Sequence, residues 1–172
     1  MAETNAQAQI ELHRTLAPRY AFRYSFKFSR LFQEDWHAEM ISHVPAGSER
    51  ILDIGCGTGF FLAELEEKHP GSVGLDISHA MLCVSEEYVP GARLVTGDAE
   101  RLPFQPAGFD VVFCKGSLHH TRDHVGFLSH WNSLRPFPCR LCNTTHSMRP
   151  DENHMTAMLR HNFSFCLVFW TY

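Results

Sequence analysis

The chain has 172 residues, of which 44% are hydrophobic and 20% are charged, and its formal net charge is −4. This length suits one domain with a sizeable core, and the composition is that of an ordinary globular protein. The slightly acidic balance argues against a nucleic-acid partner. No apolar run has the length of a membrane span, and the N-terminus has no apolar signal core. Six cysteines without such a signal are expected to be free thiols, so we expect a cytoplasmic location.

Helical and strand-like patterns alternate along most of the chain. An apolar stripe predicts a first helix over residues 28–44, ended by Pro45 and Gly47. Further helices are predicted at 58–69, 79–88 and 123–134, and buried strands at 50–54, 72–76, 92–97 and 109–114. This alternation predicts an α/β fold, a doubly wound and mostly parallel sheet with helices on both faces.

Three glycines, Gly55, Gly57 and Gly59, lie where the first predicted strand is followed by a helix, in the stretch ILDIGCGTGFF. Glycine weakens strands and helices, so this cluster indicates a tight turn that the backbone of another group approaches closely. Backbone N–H groups at such a turn face a ligand, and the helix N-terminus favours negative charge. The stretch is therefore interpreted as a nucleotide-like cofactor loop, with a buried structural turn as the alternative.

Acidic residues follow the next two strands. Asp76 ends the second strand, 21 residues after Gly55, where a carboxylate can accept hydrogen bonds from both hydroxyls of a ribose. Asp98 follows the third strand in GDAERLPF, and the fourth strand ends at Cys114. In a parallel sheet these strand ends meet at one crevice, which is where ligands bind.

Four segments, LDIGCGTG, VGLDIS, GDAERLPF and FDVVFCKGSLHHTRD, follow one another in this order. Together they resemble the successive motifs of class I S-adenosylmethionine-dependent methyltransferases, of the methyltransferase type 11 or ubiquinone-biosynthesis-like group. The resemblance covers about residues 48–136. It implies a Rossmann-like fold, S-adenosylmethionine as the cofactor, and methyl transfer to a small-molecule or lipid-like acceptor.

The resemblance implies that one group of residues holds the methionyl part of the cofactor. Asp53 and the loop from Gly55 to Gly59, which includes Cys56 and Gly57, would bind its amino and carboxylate ends. Cys114 and Lys115 would lie beside it through backbone groups. Cys56 is interpreted as a small residue of the loop, and its thiol is not interpreted as a nucleophile.

A second group would hold the nucleoside. The resemblance implies that Asp76 binds the ribose hydroxyls and that Ile77 and Met81 pack near the adenine. Asp98 would accept a hydrogen bond from the adenine amino group, and the N–H of Ala99 would reach a ring nitrogen.

Histidines follow the fourth strand at the same crevice. His119 is the preferred candidate for a base that takes a proton from the acceptor, since an unperturbed histidine titrates near pH 6.5. The alternative for His119 and His120 is a polar loop position or a packing contact. A zinc site from CRLC with His146 and His154 does not fit a finger spacing well, so no metal site is predicted.

Three regions are predicted: an N-terminal helical or lid segment at 1–47, the cofactor-binding core at 48–136 and a divergent tail at 137–172. Aromatic residues alternate from Tyr20 to Phe28, which predicts an extended segment. The resemblance implies that this segment closes over the cofactor and helps to form the acceptor pocket, and the alternative is a hydrophobic patch on which a helix docks. In the tail, Phe137 and Pro138 replace the glycines that the family places after Pro136. CRLCNTT and FSFCLVFW are predicted as a fifth and a sixth strand.

Two rival functions stay open at this point. A nicotinamide-dependent oxidoreductase would share the glycine loop and the ribose acid, but its loop spacing is G-x-G-x-x-G and here it is G-x-G-x-G. A module that binds the cofactor without catalysing transfer would share every motif. The oligomeric state is not predicted.

Overall fold

A computed structural model describes residues 5–20, 27–117, 120–134, 140–143 and 166–170. In these ranges there are five α-helices: α1 (Asn5–Tyr20), α2 (Lys27–Ser42), α3 (Phe60–Lys68), α4 (His79–Tyr88) and α5 (His124–Ser133). There are six strands: β1 (Ile51–Ile54), β2 (Val73–Asp76), β3 (Arg93–Thr96), β4 (Val111–Lys115), β5 (Arg140–Asn143) and β6 (Cys166–Trp170). Every strand and helix predicted from 28 to 134 is confirmed, with small shifts of its ends.

The strands form one sheet in the order β3-β2-β1-β4-β6-β5. The first four strands are mutually parallel, and their connections contain α3, α4 and a loop. This confirms the predicted α/β, doubly wound architecture. The two tail strands exist as predicted, but β6 pairs antiparallel with β4 on one side and with β5 on the other. Both edges of β6 are therefore hydrogen-bonded to neighbouring strands, and β5 lies at the edge of the sheet.

The side chains of each central strand alternate between two faces of the sheet. Ile51, Val111 and Phe113 pack against Met40 of α2 and against apolar residues of α3 and α4. On the opposite face, strand residues that include Leu52 pack with the aromatic and leucine side chains of α5 and its end. We call these the α2–α3 face and the α5 face. Because of this alternation, polar side chains at the strand ends can contribute to the same site only if they point to the same face of the sheet.

The helix ends follow the local sequence rules. The hydroxyl of Ser78 accepts a hydrogen bond from the Met81 N–H at 3.4 Å, and Asp123 accepts one from the Gly126 N–H at 2.8 Å. Ser78 and Asp123 are thus the N-caps of α4 and α5. None of the helices in the described part of the chain is long and apolar enough to cross a membrane.

The N-terminal region differs from the sequence interpretation. Tyr20 ends α1 and Phe28 lies in the first turn of α2, so an extended conformation is wrong at these two positions. The remainder of the aromatic run, residues 21–26, lies outside the described residues. The helical stripe that places Trp36 and Met40 on one side overrides the alternation where the two patterns overlap.

Candidate cofactor and active site

Two neighbouring cavities open at the carboxyl ends of the parallel strands. The first cavity, about 170 Å³, has a mostly apolar surface and is called the apolar cavity; the residues that line it include Gln9, Leu75, Ile77, Gly97 and Ala99, and also the charged Asp98, Glu100 and Arg122. The charged cavity, about 330 Å³, is lined by residues that include Gln33, Trp36, Asp53, Gly57, Met81 and Lys115. Five residues line both: His13, Gly55, Asp76, Ser117 and His120. The two cavities therefore share a wall and suit two halves of one elongated ligand.

The glycine loop forms part of this shared wall. All three glycines have positive φ, at 73° for Gly55, 55° for Gly57 and 81° for Gly59. A Cβ on Gly55 would lie 2.3 Å from the Cβ and the hydroxyl of Ser117, whereas a Cβ on Gly57 would meet no protein atom within 4 Å. The close approach at Gly55 is thus to a side chain of the protein itself. The open space beside Gly57 is the part of the loop that a ligand can approach.

Asp76 stands between the two cavities and is held by the backbone. Its Oδ2 accepts a hydrogen bond from the Gly57 N–H at 2.9 Å, and its Oδ1 accepts one from the Ser78 N–H at 2.8 Å. Burial raises the pKa of Asp76 above its ordinary value, and these two N–H groups partly offset that rise. The carboxylate is therefore fixed in one orientation at the wall that the cavities share.

Asp53 lies in the charged cavity and is fully enclosed. Burial raises its pKa from 3.8 to about 7, a rise that nearby Lys115 reduces and Asp76 increases. Its Oδ1 has no hydrogen-bond partner among the described residues. A buried carboxyl oxygen without a donor is costly, so this atom is suited to receive a donor from a ligand.

Lys115 supplies the positive charge of the same cavity. Its Nζ donates to Oε1 of Gln33 at 2.6 Å and to Nε2 of His37, and it lies 5.4 Å from the ring centre of Trp36. These three partners come from α2, about 80 residues earlier in the sequence, and the sequence interpretation missed all three as site residues. The spacing of four between Gln33 and His37 places them on one helix face, which was the available signal.

The other predicted cofactor residues divide between the cavities. Ile77, Asp98 and Ala99 line the apolar cavity, as expected for a nucleoside. Met81 and Cys56 line the charged cavity, and packing of Met81 near the adenine stays a prediction. Gly59 is the N-cap of α3, and a Cβ on it would lie 2.2 Å from the Ser85 hydroxyl.

Cys114 has its side chain in the core on the α5 face, where it is fully buried. Its sulfur lies 2.9 Å from the Ser117 hydroxyl, which in turn donates to the Ile54 carbonyl at 3.0 Å. The thiol thus supports the loop after β4 from below. A contact between the cofactor and the Cys114 backbone stays a prediction.

The predicted base, His119, lies outside the described residues. Its neighbour His120 lines both cavities, and its ring lies edge-on to His13 of α1 with 5.8 Å between the ring centres. Among the described residues, no three His, Cys, Asp or Glu side chains form a group that would hold a metal ion. His146 and His154, weighed above for zinc, lie outside those residues.

Comparison with known proteins identifies the core. Residues 52–135 match the sequence family described as a methyltransferase domain. This segment is a class I methyltransferase domain. The match begins in β1 and ends just after α5, so it contains the glycine loop, Asp76 and Asp98. The resemblance to S-adenosylmethionine-dependent methyltransferases is thereby confirmed.

Individual relatives agree with this assignment. The demethylmenaquinone methyltransferase of Deinococcus radiodurans is 32% identical over 144 residues, which are 78% of this chain and 58% of that protein. The malonyl-[acyl-carrier protein] O-methyltransferase of Legionella pneumophila is 38% identical over 96 residues, 53% of this chain and 32% of that protein. The chain thus spans between a third and three fifths of the length of these relatives. Neither relative supports the oxidoreductase alternative.

A solved structure supports the fold over a longer stretch. The crystal structure of magnesium protoporphyrin IX methyltransferase from Synechocystis PCC 6803 superposes with a TM-score of 0.69 and covers 99% of both chains. Its sequence identity is 17%, so it is a likeness of fold alone. The likeness extends the agreement beyond the segment that the sequence family matches.

Proposed function

We propose that this chain is an S-adenosylmethionine-dependent methyltransferase that acts on a small-molecule or lipid-like acceptor. The observation that carries the proposal is the pair of adjoining cavities, one apolar and one charged, with Asp76 at their shared wall. A nucleoside joined to a zwitterionic amino acid has the same division into an apolar and a charged half. The methyltransferase domain at 52–135 and the names of the relatives support the same activity.

The apolar cavity fits the nucleoside. Asp76 presents a fixed carboxylate, which suits the paired hydroxyls of a ribose. Ile77 offers an apolar surface for the adenine. Oδ1 of Asp98 accepts a hydrogen bond from the Glu100 N–H at 2.8 Å, which holds the carboxylate in place. A carboxylate can accept further hydrogen bonds, and we propose that Asp98 accepts one from the adenine amino group. The Ala99 N–H completes the proposed contacts with the ring.

The charged cavity fits the methionyl group. The unpartnered Oδ1 of Asp53 would accept a hydrogen bond from the α-ammonium group of the methionyl part. The open space beside Gly57 would accommodate the rest of the methionyl group. Asp53 has a pKa of about 7 in the ligand-free protein, so it holds its proton for part of the time near neutral pH. An adjacent ammonium group would favour the ionised carboxylate.

The chemistry demands positioning above all. When bound, S-adenosylmethionine supplies an activated methyl group on a sulfonium. The residues of the chain would hold the nucleophile in line and exclude water, which is the larger part of the catalytic effect in such transfers. A base is needed where the acceptor is a hydroxyl, an acidic carbon or a protonated amine, and we keep His119 for that role.

The acceptor class is inferred from the relatives and from the charge. The relatives are named for demethylmenaquinone and for a malonyl group on a carrier protein. A chain with net charge −4 has no general attraction for nucleic acid, so a small-molecule or lipid-like acceptor is proposed. The division of the chain at residues 47 and 136, and a cytoplasmic location, stay predictions beside this proposal.

Calorimetric titration of the purified chain with S-adenosylhomocysteine tests the proposal, with NAD as the matched control ligand. Selective binding of S-adenosylhomocysteine is expected. Binding of NAD alone would replace the proposal with the oxidoreductase. No binding of either ligand by folded protein would overturn it. Binding without methyl transfer to any quinol, thioester-linked acid or amine would instead favour the catalytically silent module.

A further inference from the structure

A chain of polar side chains leads from α3 through α2 to the end of β4. Glu64 of α3 lies 2.7 Å from Nδ1 of His37, and Nε2 of His37 contacts Nζ of Lys115. Gln33, one turn before His37, accepts from the same Nζ at 2.6 Å. Glu64 is 27% exposed, whereas the His37 side chain is fully buried. This series of hydrogen bonds therefore links partly solvated Glu64 with the interior of the charged cavity.

The chemistry of the partners fixes the direction of these hydrogen bonds. A carboxylate can only accept, so Nδ1 of His37 carries the proton and donates to Glu64. Burial lowers the pKa of His37, and neighbouring Lys115 lowers it further, against the opposing effect of Glu64. The imidazole is thus neutral, and its Nε2 is left with a lone pair that accepts from Lys115. Gln33 and His37, the two hydrogen-bond partners of the lysine on α2, are both acceptors, which suits a charged ammonium group.

Strand alternation brings this ammonium group to the face on which Asp53 lies. Asp53 is the register partner of Phe113, and Lys115 follows Phe113 by two residues on the same strand. Residues two apart on a strand share a face, so Asp53 and Lys115 both point to the α2–α3 face. Both line the charged cavity. One cavity thus presents an acceptor without a donor and, on the next strand, a cation.

We propose that the Lys115 ammonium group binds the α-carboxylate of the cofactor's methionyl part, and that Gln33 and His37 are positioning residues for it. This deepens the proposed function and rests on it. Asp53 binds the α-ammonium group and Lys115 binds the carboxylate, so residues of β1 and β4 together bind the two charged groups of one amino acid. Through Gln33 and His37, α2 contributes to cofactor affinity without being in the motifs that bind the nucleoside.

A pair of ligands separates this role from a structural one. S-adenosylhomocysteine and its decarboxylated analogue share the nucleoside and the amino group, and only the first has the carboxylate. Lys115→Met is expected to weaken S-adenosylhomocysteine binding by about 10- to 100-fold, the value of a charge-assisted hydrogen bond. It is expected to weaken the analogue far less, because the analogue is affected only through the pKa of Asp53, which Lys115 lowers. Lys68→Met, at an exposed lysine of α3, is the matched control and is expected to change neither affinity.

Two further variants keep the test decisive. Lys115→Arg retains the charge and is expected to keep most of the preference for S-adenosylhomocysteine. His37→Phe preserves packing against Phe60 and Phe61, with which the imidazole ring is in contact, but removes the acceptor for Lys115. It is expected to weaken S-adenosylhomocysteine binding to a smaller extent than Lys115→Met and again to spare the analogue.

The outcomes are distinct. Equal losses for both ligands in Lys115→Met, or no loss for either, would overturn the carboxylate role while leaving the methyltransferase proposal intact. If Lys115→Met does not fold, equal losses for both ligands in folded His37→Phe would overturn it in the same way. Failure of the unaltered chain to bind S-adenosylhomocysteine would instead overturn the proposed function.

Discussion

The two cavities lie at the same strand ends but are built from different parts of the sequence. Half of the residues that line the apolar cavity lie in or just after β2 and β3, such as Asp76, Ile77 and Asp98, and the others come from α1, the glycine loop and the segment after β4. The charged cavity combines the end of β1, the end of β4 and a face of α2. The contacts proposed for the nucleoside lie in short segments that follow two neighbouring strands, whereas those proposed for the charged half join Lys115 of β4 to side chains of α2 about 80 residues earlier in the sequence.

Removal of the shared carboxylate is expected to have the largest effect on both cavities. Asp76→Ala deletes the group proposed for the ribose and frees the N–H groups of Gly57 and Ser78 that it now orients. We expect S-adenosylhomocysteine affinity to fall by at least about 100-fold in titration calorimetry, since two hydrogen bonds to a charged group are lost. Asp35→Ala, at an exposed position of α2, is the control. Unchanged affinity in Asp76→Ala would contradict the proposed contact between Asp76 and the ribose.

Two alanine substitutions in the glycine loop should separate fold from ligand. Gly55→Ala is expected to lower the free energy of unfolding by about 2–4 kcal/mol, because positive φ and the contact with Ser117 both oppose a Cβ. Gly57→Ala pays only for its φ, about 1 kcal/mol, and should mainly reduce S-adenosylhomocysteine affinity. Chemical denaturation and calorimetry measure the two effects. Equal destabilisation by both substitutions would refute the close approach at Gly55.

Titration of Asp53 should give the charged cavity a pH dependence that the apolar cavity lacks. Its pKa of about 7 means that the carboxyl is largely neutral at pH 6 and largely ionised at pH 8. S-adenosylhomocysteine affinity should therefore rise by up to about tenfold over that interval, while adenosine affinity stays nearly flat. In Asp53→Asn the rise should disappear. A parallel rise for adenosine would place the pH effect elsewhere.

The same pKa makes a prediction for stability. Because the folded-state pKa lies above the ordinary value of 3.8, the pKa shift of Asp53 adds no destabilisation at a pH where the group is protonated in both the folded and the unfolded state. The destabilisation grows as the pH rises from about 4 through 7 and is complete above the folded-state pKa. Asp53→Asn should therefore raise the melting temperature relative to the unaltered chain at pH 8 and much less at pH 4. The reverse order in thermal unfolding would contradict the raised pKa.

The smallest expected effect concerns the apolar surface alone. Ile77→Ala removes part of the wall proposed for the adenine and should weaken adenosine and S-adenosylhomocysteine by the same factor, about three- to tenfold. Competition of each ligand against labelled S-adenosylhomocysteine gives both values. A loss confined to S-adenosylhomocysteine would mean that the nucleoside does not occupy this cavity.

Sequence reasoning succeeded where short-range signals sufficed. Alternation of strands and helices predicted the parallel sheet, and Asp76 and Asp98 lie in the apolar cavity because successive strand ends meet at one edge. The glycine spacing located the loop, although the neighbour that requires Gly55 is Ser117, 62 residues later.

Long-range contacts were not predictable in the same way. The pairing of β6 between β4 and β5 joins segments far apart in the chain, and strand composition alone does not select a partner. Helix periodicity placed Trp36 and Met40 on the apolar stripe but did not reveal that His37 would meet Lys115. The side chains of Cys114 and Lys115 point to opposite faces of the sheet, because neighbouring residues on a strand alternate. This difference between the two side chains was predictable from the sequence.

A crystal structure of the chain with S-adenosylhomocysteine tests the central claim most directly. The account predicts one ligand across both cavities, with the adenosine beside Ile77 and Asp98, the ribose on Asp76, and the amino-acid end between Asp53 and Lys115. A ligand confined to one cavity, reversed in direction, or bound away from the strand ends would contradict the account.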